Sequence, residues 1–276
     1  MENILPTIDF FGHPITRLIL GGNPLSGNSH ISSEMDREML EYYTMPNIQK
    51  LLDECQRQGI NTVQSRADRH QMRMYMEHLL GGGQLKWIAQ TASEFADLES
   101  NIETAAQFKA IAIYNHGTHT DNCWHSKKID DVLKIVKHIK SQGLPSGVGT
   151  HIPEVVEFVE KEGWPVDFYM CCFYNLARGY KAAPAVDHDY YERERYPAGD
   201  PPRMTAVMRA TKKPCLGFKI MAAGRNCSGE NAVREAFHYA FENIKPSDAV
   251  VVGMFQKHLN QAGQNARLVR ELLIPA

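Results

Sequence analysis

Eight short runs rich in β-branched, aromatic or small apolar residues punctuate the chain, and longer amphipathic stretches separate them. The runs are Arg17–Leu20, Ile60–Val63, Leu85–Ala89, Ala110–Tyr114, Ser146–Gly149, Phe168–Cys172, Cys215–Ile220 and Ala249–Gly253. They are apolar without alternation, the pattern of strands covered on both faces in a parallel sheet. Two of the intervening stretches show a helical period most clearly. Ile48, Leu51, Leu52 and Cys55 fall at i, i+3, i+4 and i+7, and Gly59 stands where a left-handed C-terminal cap is needed. Ile129, Val132, Leu133, Val136 and Ile139 repeat that stripe, with Ser126 as the expected N-cap and Gly143 closing the helix.

Eight strand-and-helix units in 276 residues predict an α/β fold, a (β/α)8 TIM barrel occupying residues 1–276 as a single domain. An open doubly wound sheet would want an early G-x-G-x-x-G between a strand and a helix. The early cluster Gly21-Gly22-Asn23-Pro24 instead leads through Leu25 to His30 as a long loop, and Gly81–Gly83 reads as a helix-ending turn. Residues 182–202 lack a helical period and are expected as an insertion between the sixth and seventh strands. Its Tyr190, Tyr191, Arg193, Arg195 and Tyr196 suit a lid or a subunit contact.

Charge narrows the function. The chain carries 30 Lys and Arg against 32 Asp and Glu, for a formal charge of −2. No basic run is long enough to track a phosphate backbone, which argues against a nucleic-acid partner. Arg203 to Lys213 is diluted by Met, Thr, Ala and Val and reads as a solvated helix face. No stretch approaches the roughly 20 apolar residues that span a bilayer, and no leader-like segment is evident. A cytoplasmic protein with a small-molecule substrate is expected, while periodicity fixes no oligomeric state. Cys55, Cys123, Cys171, Cys172, Cys215 and Cys227 show no paired C-x-x-C spacing, so buried structural thiols are expected.

A parallel barrel places its chemistry at the carboxyl ends of the strands. That rule selects Asn23 and the loop to His30, then Gln64, Ser65, Arg66, Asp68, Arg69 and His70. It continues with Gln90, Thr91 and Glu94 after the third strand, and Asn115, His116, His119 and Asp121 after the fourth. Thr150 and His151 follow the fifth, Tyr174, Asn175 and Arg178 the sixth, and Lys219 lies within the seventh with Arg225 beyond it. This rim is polar, aromatic and rich in His. Tyr114 and Tyr174 suit the wall of a sugar pocket, and His119 and His125 are expected in an exposed loop.

The segment Gln58-Gly-Ile-Asn-Thr-Val-Gln-Ser-Arg-Ala67 resembles the second-strand motif of the aldo-keto reductases. Ile111–His116 is similar to that family's fourth strand, Phe173-Tyr-Asn-Leu176 to its sixth, and Phe218-Lys-Ile-Met-Ala-Ala-Gly224 to the Met-Lys motif of one branch. Val250–Met254 followed by Asn265 resembles the eighth strand and the helix behind it. The resemblance implies a barrel and reduction of a small carbonyl compound by NADP or NAD. In that family an Asp, Tyr, Lys and His set serves the hydride transfer. Here the Asp position holds Gln64, the Tyr position Arg69, and the Lys position Gln90 or Thr91, while His116 is retained. Gln supplies no carboxylate, and the Arg guanidinium is a poor proton donor near neutral pH. For the cofactor, the resemblance implies amide contacts at Thr150, His151 and Cys171, ring stacking on Phe218, phosphate contacts at Lys257 and His258, and a role for Asn23.

Three readings follow. In the first, hydride exchange with NAD(P) uses His116 as proton donor and Arg69 to polarise the oxygen, with Gln64, Gln90 and Lys219 in the catalytic set. In the second, a lyase, epimerase or isomerase acts on a keto-sugar or polyol. His116 and His151 are then an acid–base pair or ligands of a divalent metal, Glu94, Asp68 or His70 completes the site, and Arg69, Arg178 and Lys219 stabilise an enolate. In the third, the barrel is a non-catalytic binding module. A strand Lys such as Lys219 can form a Schiff base where desolvation lowers its pKa, or can serve packing and hydrogen bonding.

Overall fold

A computed structural model describes residues 4–178 and 194–274. Eight parallel strands close into a barrel: β3 (Leu18–Gly21), β4 (Thr62–Arg66), β5 (Lys86–Gln90), β6 (Ala110–Asn115), β7 (Ser146–Thr150), β8 (Phe168–Cys172), β9 (Cys215–Phe218) and β10 (Ala249–Gly253), with β10 pairing back to β3. Each expected run contributes one strand. Before them stands a hairpin that the sequence reading lacked, β1 (Thr7–Phe10) and β2 (His13–Thr16), turning on Phe11 and Gly12, both with positive φ. The helices are α1 (Ser33–Tyr42), α2 (Met45–Arg57), α3 (Arg69–Leu80), α4 (Leu98–Gln107), α5 (Gly117–His125), α6 (Asp130–Ser141), α7 (Pro153–Lys161), α8 (Asp200–Ala210), α9 (Glu230–Asn243) and α10 (Gln261–Leu273). Among the described residues, no helix is long and apolar enough to cross a membrane.

Several local expectations are corrected. Ser126 ends α5 instead of opening α6, which begins after Ile129 with Asp130 and Asp131 in its first turn, where carboxylates favour the helix dipole. Val132, Val136 and Ile139 form its buried face as expected. The loop after β3 contains a 3-10 turn, Asn23–Ser26, and leads into α1. Residues 117–125 are helical, so His119 and His125 do not sit on an exposed loop. Much of the expected 182–202 insertion, including Tyr190, Tyr191 and Arg193, lies outside the described residues, and its end already forms the Pro-rich first turn of α8. That helix buries Met204, Val207 and Met208, so the stretch from Arg203 is solvated on one side only. Strand β9 stops at Phe218, and Lys219 takes a left-handed backbone with φ 57° just beyond it.

Alternation inside the barrel decides what faces where. An inner cluster joins Ile19, Ile88, Ala112, Tyr114, Phe168, Met170, Leu216, Ala249 and Val251. Residues between them in the chain, such as Val63, Trp87, Ile113, Tyr169 and Cys171, belong to the larger core under the helices. Ile8, Phe10 and Ile15 of the hairpin join the inner cluster, with the Phe10 ring 5.0 Å from Phe168, and so plug the end where the strands begin. Gly147 is required there, because a β-carbon would come within 2.5 Å of the Phe168 ring. Of the six thiols, five are buried and only Cys227 is exposed.

Candidate active site

At the other end of the barrel a cavity of about 1280 Å³ opens among the carboxyl ends of the strands. Its floor follows from strand parity. Gln64 and Arg66 share the inward face of β4 and Gln90 ends β5, while His116 and His151 stand just past β6 and β7, two residues beyond the inward-facing Tyr114 and Gly149. Gln64 Nε2 donates to the Tyr114 hydroxyl at 2.7 Å, and that hydroxyl donates to Gln90 Oε1 at 2.7 Å. The phenol is therefore engaged on both sides, and burial pushes its pKa up.

Two histidines stand over this floor. His151 Nδ1 lies 2.6 Å from Asp121 Oδ2, and the same buried carboxylate accepts from Thr150 Oγ1 at 2.6 Å and from the His151 backbone N–H at 3.3 Å. A carboxylate can only accept, so the neutral ring keeps its proton on Nδ1 and presents a lone pair at Nε2. His116 Nδ1 lies 2.7 Å from Ser93 Oγ. Burial, aided by Arg66, His151 and His119, holds its pKa well below 6.5, so His116 is neutral at pH 7.

A second polar cluster lies across the cavity. His30 Nδ1 is 2.9 Å from Glu194 Oε1 and 3.0 Å from Lys219 Nζ, while Asn23 Nδ2 meets His30 Nε2 at 3.1 Å. Lys219 Nζ also approaches Glu194 Oε1 at 3.2 Å, and the Tyr196 hydroxyl donates to Glu194. Burial would raise the Glu194 carboxyl, but Lys219 and His30 outweigh it and hold it well below the usual carboxylate range. Burial and then Lys219 lower His30 against the pull of Glu194.

The sequence-derived residues divide accordingly. Gln64, Gln90, His116, His151, Phe218, Lys219 and Asn23 all line the cavity. Arg69 does not, because α3 begins at that residue and turns it outward into solvent; Arg66, three residues earlier, is the cation that faces in. Arg66 pairs with Glu94 and reaches Asp68 at 3.6 Å. Thr150 and Cys171 stand opposite each other in register and point away from the barrel axis; Thr150 is committed to Asp121, and Cys171 lies buried beside Cys215. Lys257 and His258 bind Glu38 at the surface. Of the positions that the resemblance implied for a nicotinamide cofactor, Thr150, Cys171 and Lys257 do not face the cavity, whereas Asn23, His151 and Phe218 line it. The ligand set His116, His151 and Glu94 is not gathered either: Glu94 is turned to Arg66, and among the described residues no three His, Cys, Asp or Glu side chains form a metal-binding group. The strand-end rule selects Asp121 as a rim residue without giving it a role, and nothing local points to Glu194; their partners are 30 and 25 residues distant along the chain.

The buried imidazoles set an acid limit on stability. Burial lowers His30, His78, His116 and His119 below 6.5, so they stay neutral in the folded chain while the unfolded chain takes up protons. Their contribution is fully present above pH 6.5 and is lost as pH falls toward their folded pKa values. Unfolding free energies from denaturant curves are expected to drop between pH 7 and pH 5, before most carboxylates titrate, by up to about 1.4 kcal/mol per pH unit for each such His. His116→Gln is expected to flatten that slope, and an unchanged slope would contradict the assignment.

No protein-family model matches the chain, and no curated protein matches it. Solved structures share its fold. The glycerol dehydrogenase AKR11B4 from Gluconobacter oxydans, an aldo-keto reductase, superposes with a TM-score of 0.55 at 10% identity, over 99% of this chain and 96% of that one. The Amycolatopsis orientalis BexX/CysO complex gives 0.54 at 12% identity, over 98% and 94%. A truncated 3-deoxy-D-arabino-heptulosonate 7-phosphate synthase from Thermotoga maritima gives 0.51 at 13%, over 98% and 91%. The likeness is one of fold, a (β/α)8 barrel shared by enzymes of different chemistry.

Proposed function

We propose that the chain is an enzyme that moves protons on a small carbonyl or sugar-like compound, in a lyase, epimerase or isomerase type of step. The observation that carries this reading is the Asp121–His151 pair at the cavity wall, with Nδ1 held at 2.6 Å. It leaves Nε2 as a base of fixed tautomer and orientation. His116, neutral at pH 7, polarises the carbonyl as a hydrogen-bond donor instead of protonating it outright. Gln64 and Gln90 border the same floor and offer polar contacts to hydroxyl groups. Arg66, itself balanced by Glu94, adds positive potential where an enolate would develop.

Incubation in heavy water with dihydroxyacetone, fructose and xylulose, followed by proton NMR, tests the reading. Deuterium is expected to enter the carbon next to the carbonyl of at least one of them, and His151→Gln is expected to stop it. Exchange that persists in that variant, or no exchange with any of the compounds, would remove the proposal.

Reduction of the same carbonyl by NAD(P) is the second reading. It is favoured by the length of the cavity, which runs from His116 past Phe218 to Asn265. Fluorescence titration with NADPH and NADH separates the two: sub-millimolar binding accompanied by carbonyl-dependent oxidation would favour hydride chemistry.

A further inference from the structure

Among the non-glycine residues with left-handed backbone, two meet each other inside the cavity, His30 with φ 59° and Lys219 with φ 57°. Such conformations are costly and persist where surrounding structure enforces them, often where a side chain must be aimed. The turn at Lys219 ends β9 and sends the side chain into the cavity, where only 9% of it is exposed. Its Nζ lies 3.0 Å from His30 Nδ1, 3.2 Å from Glu194 and 3.5 Å from the Tyr196 hydroxyl. Asn23 donates to His30 Nε2, so neutral His30 gives its Nδ1 proton to Glu194. Glu194 thus accepts from His30, from Tyr196 and from the Lys219 amine. A lysine serving only as an ion-pair partner could reach a carboxylate from an unstrained backbone.

We propose that Lys219 is a catalytic nucleophile that forms an imine with the carbonyl of the substrate, which extends the proton-transfer reading and rests on it. The ammonium first passes a proton through Glu194 to the carbonyl oxygen, and the free amine adds to the carbonyl carbon, making the C–N bond of a carbinolamine. The adduct nitrogen still carries one proton too many and passes it through Glu194 to the hydroxyl, which leaves as water while the freed nitrogen lone pair closes the C=N bond. Nothing is oxidised or reduced, and readdition of water reverses the sequence. The iminium acidifies the adjacent C–H, which is the proton that His151 would remove. The substrate class is therefore an aldehyde or ketone with a hydrogen on the neighbouring carbon.

Trapping tests the proposal. The intact protein is incubated with dihydroxyacetone or glycolaldehyde and sodium cyanoborohydride, digested, and mapped by mass spectrometry. Lys219 is expected to carry the reduced adduct ahead of every exposed lysine, and Glu194→Gln is expected to slow its labelling. Labelling that follows exposure, with Lys219 spared, would overturn the proposal. Lys219→Arg keeps the charge but cannot form the imine, so a variant that folds and still exchanges deuterium at the wild-type rate would also overturn it. Wild-type exchange that depends on His151 without labelling at Lys219 would sink the imine alone and leave the proton-transfer reading standing.

Discussion

Replacing Asp121 by Asn is expected to lower turnover about 10²- to 10⁴-fold while the barrel stays folded. The amide keeps one acceptor for Thr150 Oγ1 and the His151 backbone N–H, which now share Asp121 Oδ1 at 2.6 and 3.3 Å. What it loses is the second acceptor. An Asn nitrogen opposite His151 Nδ1 donates, so the ring must move its proton to Nε2 and no longer offers a lone pair to the cavity. The loss should therefore fall on the rate of deuterium entry more than on the concentration of carbonyl compound needed. Circular dichroism and a denaturant curve on the same sample establish that the fold persists. Activity within a few-fold of wild type would show that the pair fixes structure and not chemistry.

Phe10→Ala is expected to cost about 3–5 kcal/mol of stability, because it removes a large side chain from a site with little room to collapse. Phe10 is fully buried, and its ring meets Phe168 edge-on at 5.0 Å beneath Ile8 and Ile15. The cavity left behind would open the barrel interior at the end opposite the reactive residues. Turnover at a temperature where the variant remains folded should therefore be unchanged. A denaturant midpoint near wild type would mean that the hairpin merely covers the barrel, and a loss of turnover in folded protein would mean that the two ends are coupled.

The degree to which the site was legible in sequence varied residue by residue. His116 and His151 are legible because each lies two residues past a strand-forming run, where the chain leaves the barrel at its mouth. Counting along the second-strand motif points to Arg69, which faces solvent. The helix α3 starts at that residue, so the inward cation is Arg66, two residues along β4 from Gln64 and on the same face. Thr150 and Cys171 point away from the cavity for the related reason that each sits one residue out of phase with the inward set. The hairpin did leave a signal, a Phe-Gly turn between alternating residues, but it is too short to stand out beside the barrel strands.

The sequence by itself determined the barrel, since eight apolar runs separated by amphipathic stretches can bury their faces in few other ways. It also determined which end carries the polar residues, because direction along parallel strands is shared by all of them. Only the tertiary structure decided how those residues are paired. Asp121 meets His151 across 30 residues of chain, and Glu194 meets Lys219 across 25. Those contacts depend on where a helix starts and how a strand ends, offsets of one or two residues that hydrophobic periodicity does not resolve. The same offsets turn a rim of polar side chains into a held base on one wall and a strained, buried lysine on the other.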